Sequence, residues 1–165
     1  MTQSGYAEFK SSVPLHSFTG ESNNLTGMID FHENVIDFYL DLNTLRTGID
    51  RRDRDMFRTL DVDEHPFAEY TGELTSSFDH DSDEKQRVTA VGEFTMHGIT
   101  RDLEVSGYLQ KQGDQITLEA EWILNIKDYE LEPPSILFVE VDEEMEIRIE
   151  TELEPRSRDE TLGGN

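Results

Sequence analysis

Hydrophobic alternation with a period of two runs through most of this chain, and it restricts the fold more than any other feature. In NVIDFYLDL, Ile36, Phe38, Leu40 and Leu42 fall on one face of an extended segment, with Asp37, Tyr39 and Asp41 on the other. The same rhythm recurs over residues 88–96, 103–109, 116–124 and 145–153, and Pro66 precedes a further segment, FAEYTGELTSSF. Polar turn stretches separate the runs: SNN (22–24), FHEN (31–34), DHDSDEK (79–85), HGITR (97–101) and KQGD (111–114). About eight antiparallel strands result, each dry on one face and acidic on the other. Parallel strands under helices would instead show continuous apolar runs. The choice lies between a barrel and a two-sheet sandwich.

The size of the inward residues favours a barrel. Ala68, Gly72, Ala90, Gly92, Gly107 and Ala120 occupy the apolar register, where a compact sandwich core wants large side chains. Two readings account for them. Glycines let strands bend around a barrel wall, and small inward residues leave a lumen that about eight strands make wide enough for one small ligand. Both lead to a closed wall.

One segment breaks the rhythm. From Asp50 to Leu60, DRRDRDMFRTL reads as a short helix, with Asp50 as N-cap, Asp53 in capping-box-like spacing and Met56 with Leu60 as an apolar pair. A helix this short is marginal alone, so its apolar side is expected on the sheet or over a barrel mouth. It also holds an anomaly of charge. Five of the chain's 14 Lys and Arg residues fall within RTGIDRRDRDMFR (46–58), although 37 Asp and Glu give the molecule a net charge of -23. Asp50, Asp53 and Asp55 reduce the stretch to about +2, so local pairing competes with an anion site.

Composition excludes several classes. A chain of 165 residues with 35% hydrophobic content supports one core, and a single domain over 5–154 is expected, followed by a polar, disordered tail at 155–165. No run approaches the roughly 20 apolar residues of a membrane helix, so no stable membrane insertion is expected. MTQSGYAEFK lacks the basic start and apolar core of a signal peptide. A pI near 4.3 repels phosphate backbones, which argues against nucleic acid as a partner. The absence of cysteine removes disulfides, thiolate metal sites and thiol nucleophiles. An acidic surface with only four lysines fits a protein kept soluble in concentrated salt.

Catalytic and metal motifs are not found. DHDSDEK has Asp79, Asp81 and Asp83 at calcium-loop spacing, yet Glu84 stands where the turn glycine is needed and Ala90 where the bidentate Glu belongs. It reads as a solvated loop. His32-Glu33 lacks a second metal-binding His, the five histidines are scattered, and neither GxSxG nor a phosphate-binding glycine loop occurs. Asn24-Leu25-Thr26 is a glycosylation sequon that matters only in a secretory host. No metal, no cofactor and no catalytic residue are expected.

Three blocks then resemble a known family. NTLRTGIDRRDRDM, EHPFAEYTGEL and VGEFTMHGITRDLEV are similar, in order and spacing, to the signature blocks of YceI-like lipid-binding proteins. Thr47-Gly48 and Arg52-Asp53 match the first block, Pro66 and Tyr70 the second, and Gly92, Phe94, Thr95, Gly98, Ile99 and Thr100 the third. ILNIKDYEL (123–131) is similar to a late block of the family, with Glu130 where a glycine is usual. Arg54-Asp55-Met56-Phe57 stands in place of the family's His-Leu-Arg, and His65 replaces an aromatic residue before Pro66.

The resemblance implies an all-β, eight-stranded antiparallel barrel of extended-lipocalin type, with one short helix at about 50–60 and an isoprenoid lipid or quinone in its lumen. The expected partner is a hydrophobic small molecule, bound without catalysis for transport or sequestration. With the apolar register facing inward, the expected lining is Phe38, Leu40, Tyr70, Phe94, Met96 and Trp122, with Met56 and Phe57 of the helix as a lid. Arg52 or Asp53 is expected to clamp the helix to barrel loops, and Arg51 or Arg54 to lie near a polar head group. The resemblance implies a periplasmic or secreted protein, while the lack of a signal peptide leaves the cytoplasm open. A homodimer is also compatible. Two other classes compete: an interaction or stress-response module whose barrel is packed solid, and an enzyme working through inward carboxylates, of which few lie in the inward register.

Overall fold

The computed structural model describes residues 1–12, 17–131 and 144–155. Eight strands run in chain order: β1 (Thr2–Ser12), β2 (Ser17–Asp30), β3 (Val35–Asp41), β4 (Phe67–Leu74), β5 (Gln86–Met96), β6 (Ile99–Gln112), β7 (Gln115–Asn125) and β8 (Glu144–Leu153). Every neighbouring pair is antiparallel, and β8 returns to β1 through Tyr6–Glu150 and Ala7–Ile149, which closes the sheet as a barrel. Closure leaves no unpaired edge to aggregate. The expected tail beyond Pro155 lies outside the described residues.

Turn chemistry explains the connections. His97 and Gly98 both take positive φ (56° and 74°), the requirement of a two-residue hairpin turn whose twist suits its strands. Asn34 and Gly113 also take positive φ at the 31–34 and 113–114 turns. One expected turn is not a turn. Ser22–Asn24 lies inside β2, where β2 carries one more residue than β1 between the pairs Gly5–Leu25 and Ala7–Ser22. This bulge turns Ser22 inward, where its hydroxyl lies 2.7 Å from Thr44 Oγ1, and the backbones of Glu21 and Arg46 exchange two 2.9 Å hydrogen bonds. A polar triplet that looks like a turn in sequence is thus a docking point for the chain leaving β3. Leu42 also departs from expectation: β3 stops at Asp41, and Leu42–Thr44 form a 3-10 turn capped by the Asp41 side chain.

The helix α1 (Asp50–Leu60) sits in the long connection between β3 and β4. Ile49, extended at φ -130°, takes the N-cap position, and Asp50 is the first helical residue and makes no capping bond. Asp50 is therefore not the cap. The helix ends at Asp61 in left-handed conformation, whose N–H is donated back to Phe57 and Arg58 carbonyls.

Inward residues of all eight strands form the apolar interior, in two adjoining clusters. The larger includes Leu25, Ile36, Phe38, Leu74, Val88, Leu109 and Leu118; the smaller gathers Met96, Leu124, Ile126, Tyr129 and Leu131 near the end that holds α1. The opposite end is stoppered by aromatics: Phe31 stacks on Phe78 at 5.3 Å, and His80 meets both rings edge-on.

Candidate functional site: the barrel lumen and its mouth

The interior is not filled. A cavity of about 850 Å³ runs from Ile49, Arg51 and Arg52 of the helix end down to Leu74, Val88 and Leu118 near the stoppered end. That volume lies in the upper part of the roughly 300–1,000 Å³ range of ligand pockets. Val88 and Met96, eight residues apart on β5, both line it, so it follows about 26 Å of strand.

Small residues create this space in two different ways. Ala68, Ala90, Gly107 and Ala120 border the cavity directly. Gly72 and Gly92 do not: they face each other in register across β4 and β5, and a Cβ on Gly72 would lie 2.6 Å from the Val91 carbonyl. Those two glycines serve close approach and curvature of the wall, and the alanines set its bore.

Of the expected lining residues, Phe38, Leu40, Met56, Tyr70, Phe94, Met96 and Trp122 border the cavity. Phe94 meets Trp122 edge-on at 6.4 Å and Tyr129 at 5.6 Å, and the Tyr70 hydroxyl donates to the Leu103 carbonyl at 3.0 Å. Burial, with Glu104 nearby, raises the Tyr70 phenol above its ordinary range, so it stays a neutral donor. Phe57 does not border the cavity. It lies about 100° around the helix from Met56, packs against the core, and carries the Arg46 guanidinium 5.6 Å from its ring centroid. The lid face is instead Ile49, Arg52, Met56, Thr59 and Leu60, with Arg51 and Asp55 at its margins.

Phe9 and Phe18, edge-on at 6.0 Å, also border the mouth and escape sequence reading. Their strand partners in the inward register are small, Gly20 opposite Phe9 and Ser11 opposite Phe18, so no run of large apolar residues marks them.

The four charged residues singled out on α1 separate into three positions. Asp53 is 6% exposed, and its Oδ1 accepts the Thr47 N–H at 2.7 Å and the Thr47 hydroxyl at 2.6 Å. Burial pushes its carboxyl up, but both Thr47 hydrogen bonds and the nearby Arg46 and Arg52 outweigh that, leaving it below the usual range. Asp53 therefore ties the helix to the loop before it. Arg52 donates to the Thr47 carbonyl at 3.3 Å, its guanidinium stands 5.0 Å from the Phe18 ring centroid, and it borders the cavity. Arg51 is exposed at the mouth, whereas Arg54 is exposed and away from the cavity.

Among the described residues no three His, Cys, Asp or Glu come together as metal ligands, and no helix is long and apolar enough to cross a membrane. The Asp79 loop is held by its own bonds, Asp81 N–H to Asp79 Oδ1 at 2.9 Å and Asp79 N–H to Gln86 Oε1 at 2.9 Å.

Comparison with known proteins gives the architecture a family. Solved structures with the same fold include a polyisoprenoid-binding domain from Saccharophagus degradans implicated in plant cell wall breakdown (18% identity, 93% of this chain and 95% of that one, TM-score 0.79). Burkholderia cenocepacia BcnA (12%, 90% and 96%, TM-score 0.76) and the Campylobacter jejuni YceI protein (14%, 84% and 85%, TM-score 0.66) share it too. No curated protein matches the sequence. The model of the YceI-like domain matches residues 4–153, nearly the whole described barrel, and the chain belongs to the YceI-like family.

Proposed function

We propose that this protein binds a long-chain amphiphilic lipid, a polyisoprenoid or isoprenoid quinone, in its lumen and carries or sequesters it without chemical change. The observation that carries this reading is the apolar cavity of about 850 Å³ that follows the barrel from mouth to stopper. Each 100 Å² of apolar chain withdrawn from water there gains about 2.5 kcal/mol, before the cost of ordering the guest. The polyisoprenoid-binding description of the Saccharophagus degradans neighbour supports the same ligand class. A packed-core interaction module is disfavoured by the volume itself. An enzymatic reading has less support: the acids that border the cavity, Glu8 and Asp55, lie with the charged groups of the mouth, and the Tyr6 hydroxyl donates to Glu8 at 2.6 Å.

Native mass spectrometry of delipidated protein incubated with long isoprenoids, quinones and fatty acids tests the proposal. A stoichiometric isoprenoid or quinone adduct is expected, and it should weaken in Ala120→Phe, whose ring narrows the lumen. Absence of any lipid adduct on the folded wild-type protein would overturn it.

A further inference from the structure

The helix that covers the mouth has a cation where its pattern calls for a hydrophobe. Ile49, Arg52, Met56 and Leu60 follow the i, i+3, i+7, i+11 spacing of one helical stripe, and all four border the lumen. Three are apolar and the fourth is Arg52. The placement is unfavourable on two further counts. Arg51 and Arg52 lie in the first turn of α1, where the helix dipole repels positive charge. The helix N-terminus there has no side-chain cap.

The mouth's acids neutralise these cations only in part. Glu8 is engaged by the Tyr6 hydroxyl at 2.6 Å and by Arg148 at 3.9 Å, and Asp55 lies 3.8 Å from Arg58. Asp53 lies near enough to Arg52 for the two charges to attract, but its Oδ1 is committed to both Thr47 bonds and makes no ion pair with the guanidinium. No ion pair among the described residues includes Arg51 or Arg52. Arg52 is held in place by the Thr47 carbonyl and the Phe18 ring, neither of which cancels its charge, and its Nε is buried without a hydrogen-bond partner. Asp50 and Asp53 in the same turn offset part of this charge, but a cation on the lumen-facing stripe still breaks the apolar pattern of the helix, and such a violation marks a functional position.

We infer that the mouth is an anion-selecting head-group site, with Arg52 as its principal donor and Arg51 assisting from the rim. The lipid that fits carries a phosphate or carboxylate at the end of its chain, and the neutral head of a quinone or alcohol uses the same lumen with weaker affinity. The site deepens the carrier reading and rests on it. The molecule's net charge of -23 disfavours anions at long range, so the selectivity comes from contact, where a planar guanidinium forms paired bonds to either oxyanion.

The test compares geranylgeranyl monophosphate, a carboxylate of matched prenyl length and the matched alcohol, each titrated into wild type, Arg52→Gln, Arg52→Lys and Arg51→Gln. Wild type is expected to bind the phosphate or the carboxylate about tenfold tighter than the alcohol, the size of one charge-assisted hydrogen bond. The comparison of the two anions names the source. Arg52→Gln should erase that preference by lowering anion affinity far more than alcohol affinity, Arg52→Lys should restore part of it, and Arg51→Gln should weaken it while the fold is undisturbed. Equal wild-type affinity for charged and neutral ligands overturns the site and leaves the carrier intact. So does an Arg52→Gln loss shared equally by all three ligands. If none of the three binds wild type, the carrier reading and the site fall together.

Discussion

At the scale of single residues, the Arg-rich stretch before β4 divides its work between neighbours in sequence. Asp53 is a tether: buried, with two short bonds to Thr47, six residues back. Replacing it with Asn leaves the Thr47 donors facing a weaker, uncharged acceptor, and about 2 kcal/mol of stability should be lost at neutral pH by chemical denaturation. The pH dependence has a definite sign. Because the folded carboxyl titrates below its unfolded value of about 3.9, its stabilisation is complete above that value and fades as pH falls through the lowered one. The gap between wild type and Asp53→Asn should therefore be constant from about pH 7 to 5 and close below about pH 4. A gap that persisted undiminished well below that would remove the carboxylate from the account. Arg52-Asp53 is thus legible in sequence as a significant pair, but not as two roles. The pairing partner of Asp53 is a threonine that no charge pattern would select.

Among elements, β4 and β5 show what the wall demands. Gly72 and Gly92 meet in register, and a Cβ on Gly92 would press on the Thr71 carbonyl and Gly72 Cα. Gly92→Ala should cost about 1–3 kcal/mol, the usual range for overpacking, visible as a lowered melting temperature. An unchanged melting temperature would show that the strands separate freely there. The helix shows a limit of sequence reading at the same scale. Its apolar pair Met56 and Leu60 identifies the lumen-facing stripe, but Phe57 does not belong to it, because adjacent helical residues diverge by about 100° and only docking fixes which one turns inward. β1 and β2 show another limit. Their inward register alternates large with small residues, Phe9 opposite Gly20 and Phe18 opposite Ser11, so Phe9 and Phe18 carry little periodic signal although they flank the mouth.

For the whole molecule, the outer surface sets charge against closure. Antiparallel pairing puts Glu93 opposite Asp102, Glu119 opposite Glu150 and Glu8 opposite Glu21, and like charges opposed across strands are destabilising. Few cations relieve them. Arg148 reaches Glu150 at 2.9 Å and Glu121 at 3.8 Å, and Lys85 reaches Glu119 at 2.9 Å. The Tyr6 hydroxyl bridges Glu8 and Glu21, and its bond to Glu8 above all holds its own proton far more tightly than a free phenol does. With a net charge of -23, screening by salt should stabilise the barrel. Thermal unfolding in about 2 M KCl is expected several degrees above that at low ionic strength, where the Debye length is roughly ten times longer. Equal stability in both would dismiss the adaptation to concentrated salt.

Strand number, most turn positions, the all-β class and the acid-out, apolar-in alternation were determined by the sequence alone. Each rests on interactions between residues near in the chain: a period of two, a positive φ at His97-Gly98, a helix-forming run bounded by Ile49 and Asp61. The tertiary structure alone decided that the interior holds about 850 Å³ rather than a packed core, because empty space belongs to opposite walls and no strand encodes the distance to the one facing it. The same physics placed Arg52 over the opening and Arg54 away from it. A helix carries its own periodicity, but the rotation at which it docks is set by Met56, Leu60 and the rim they cover.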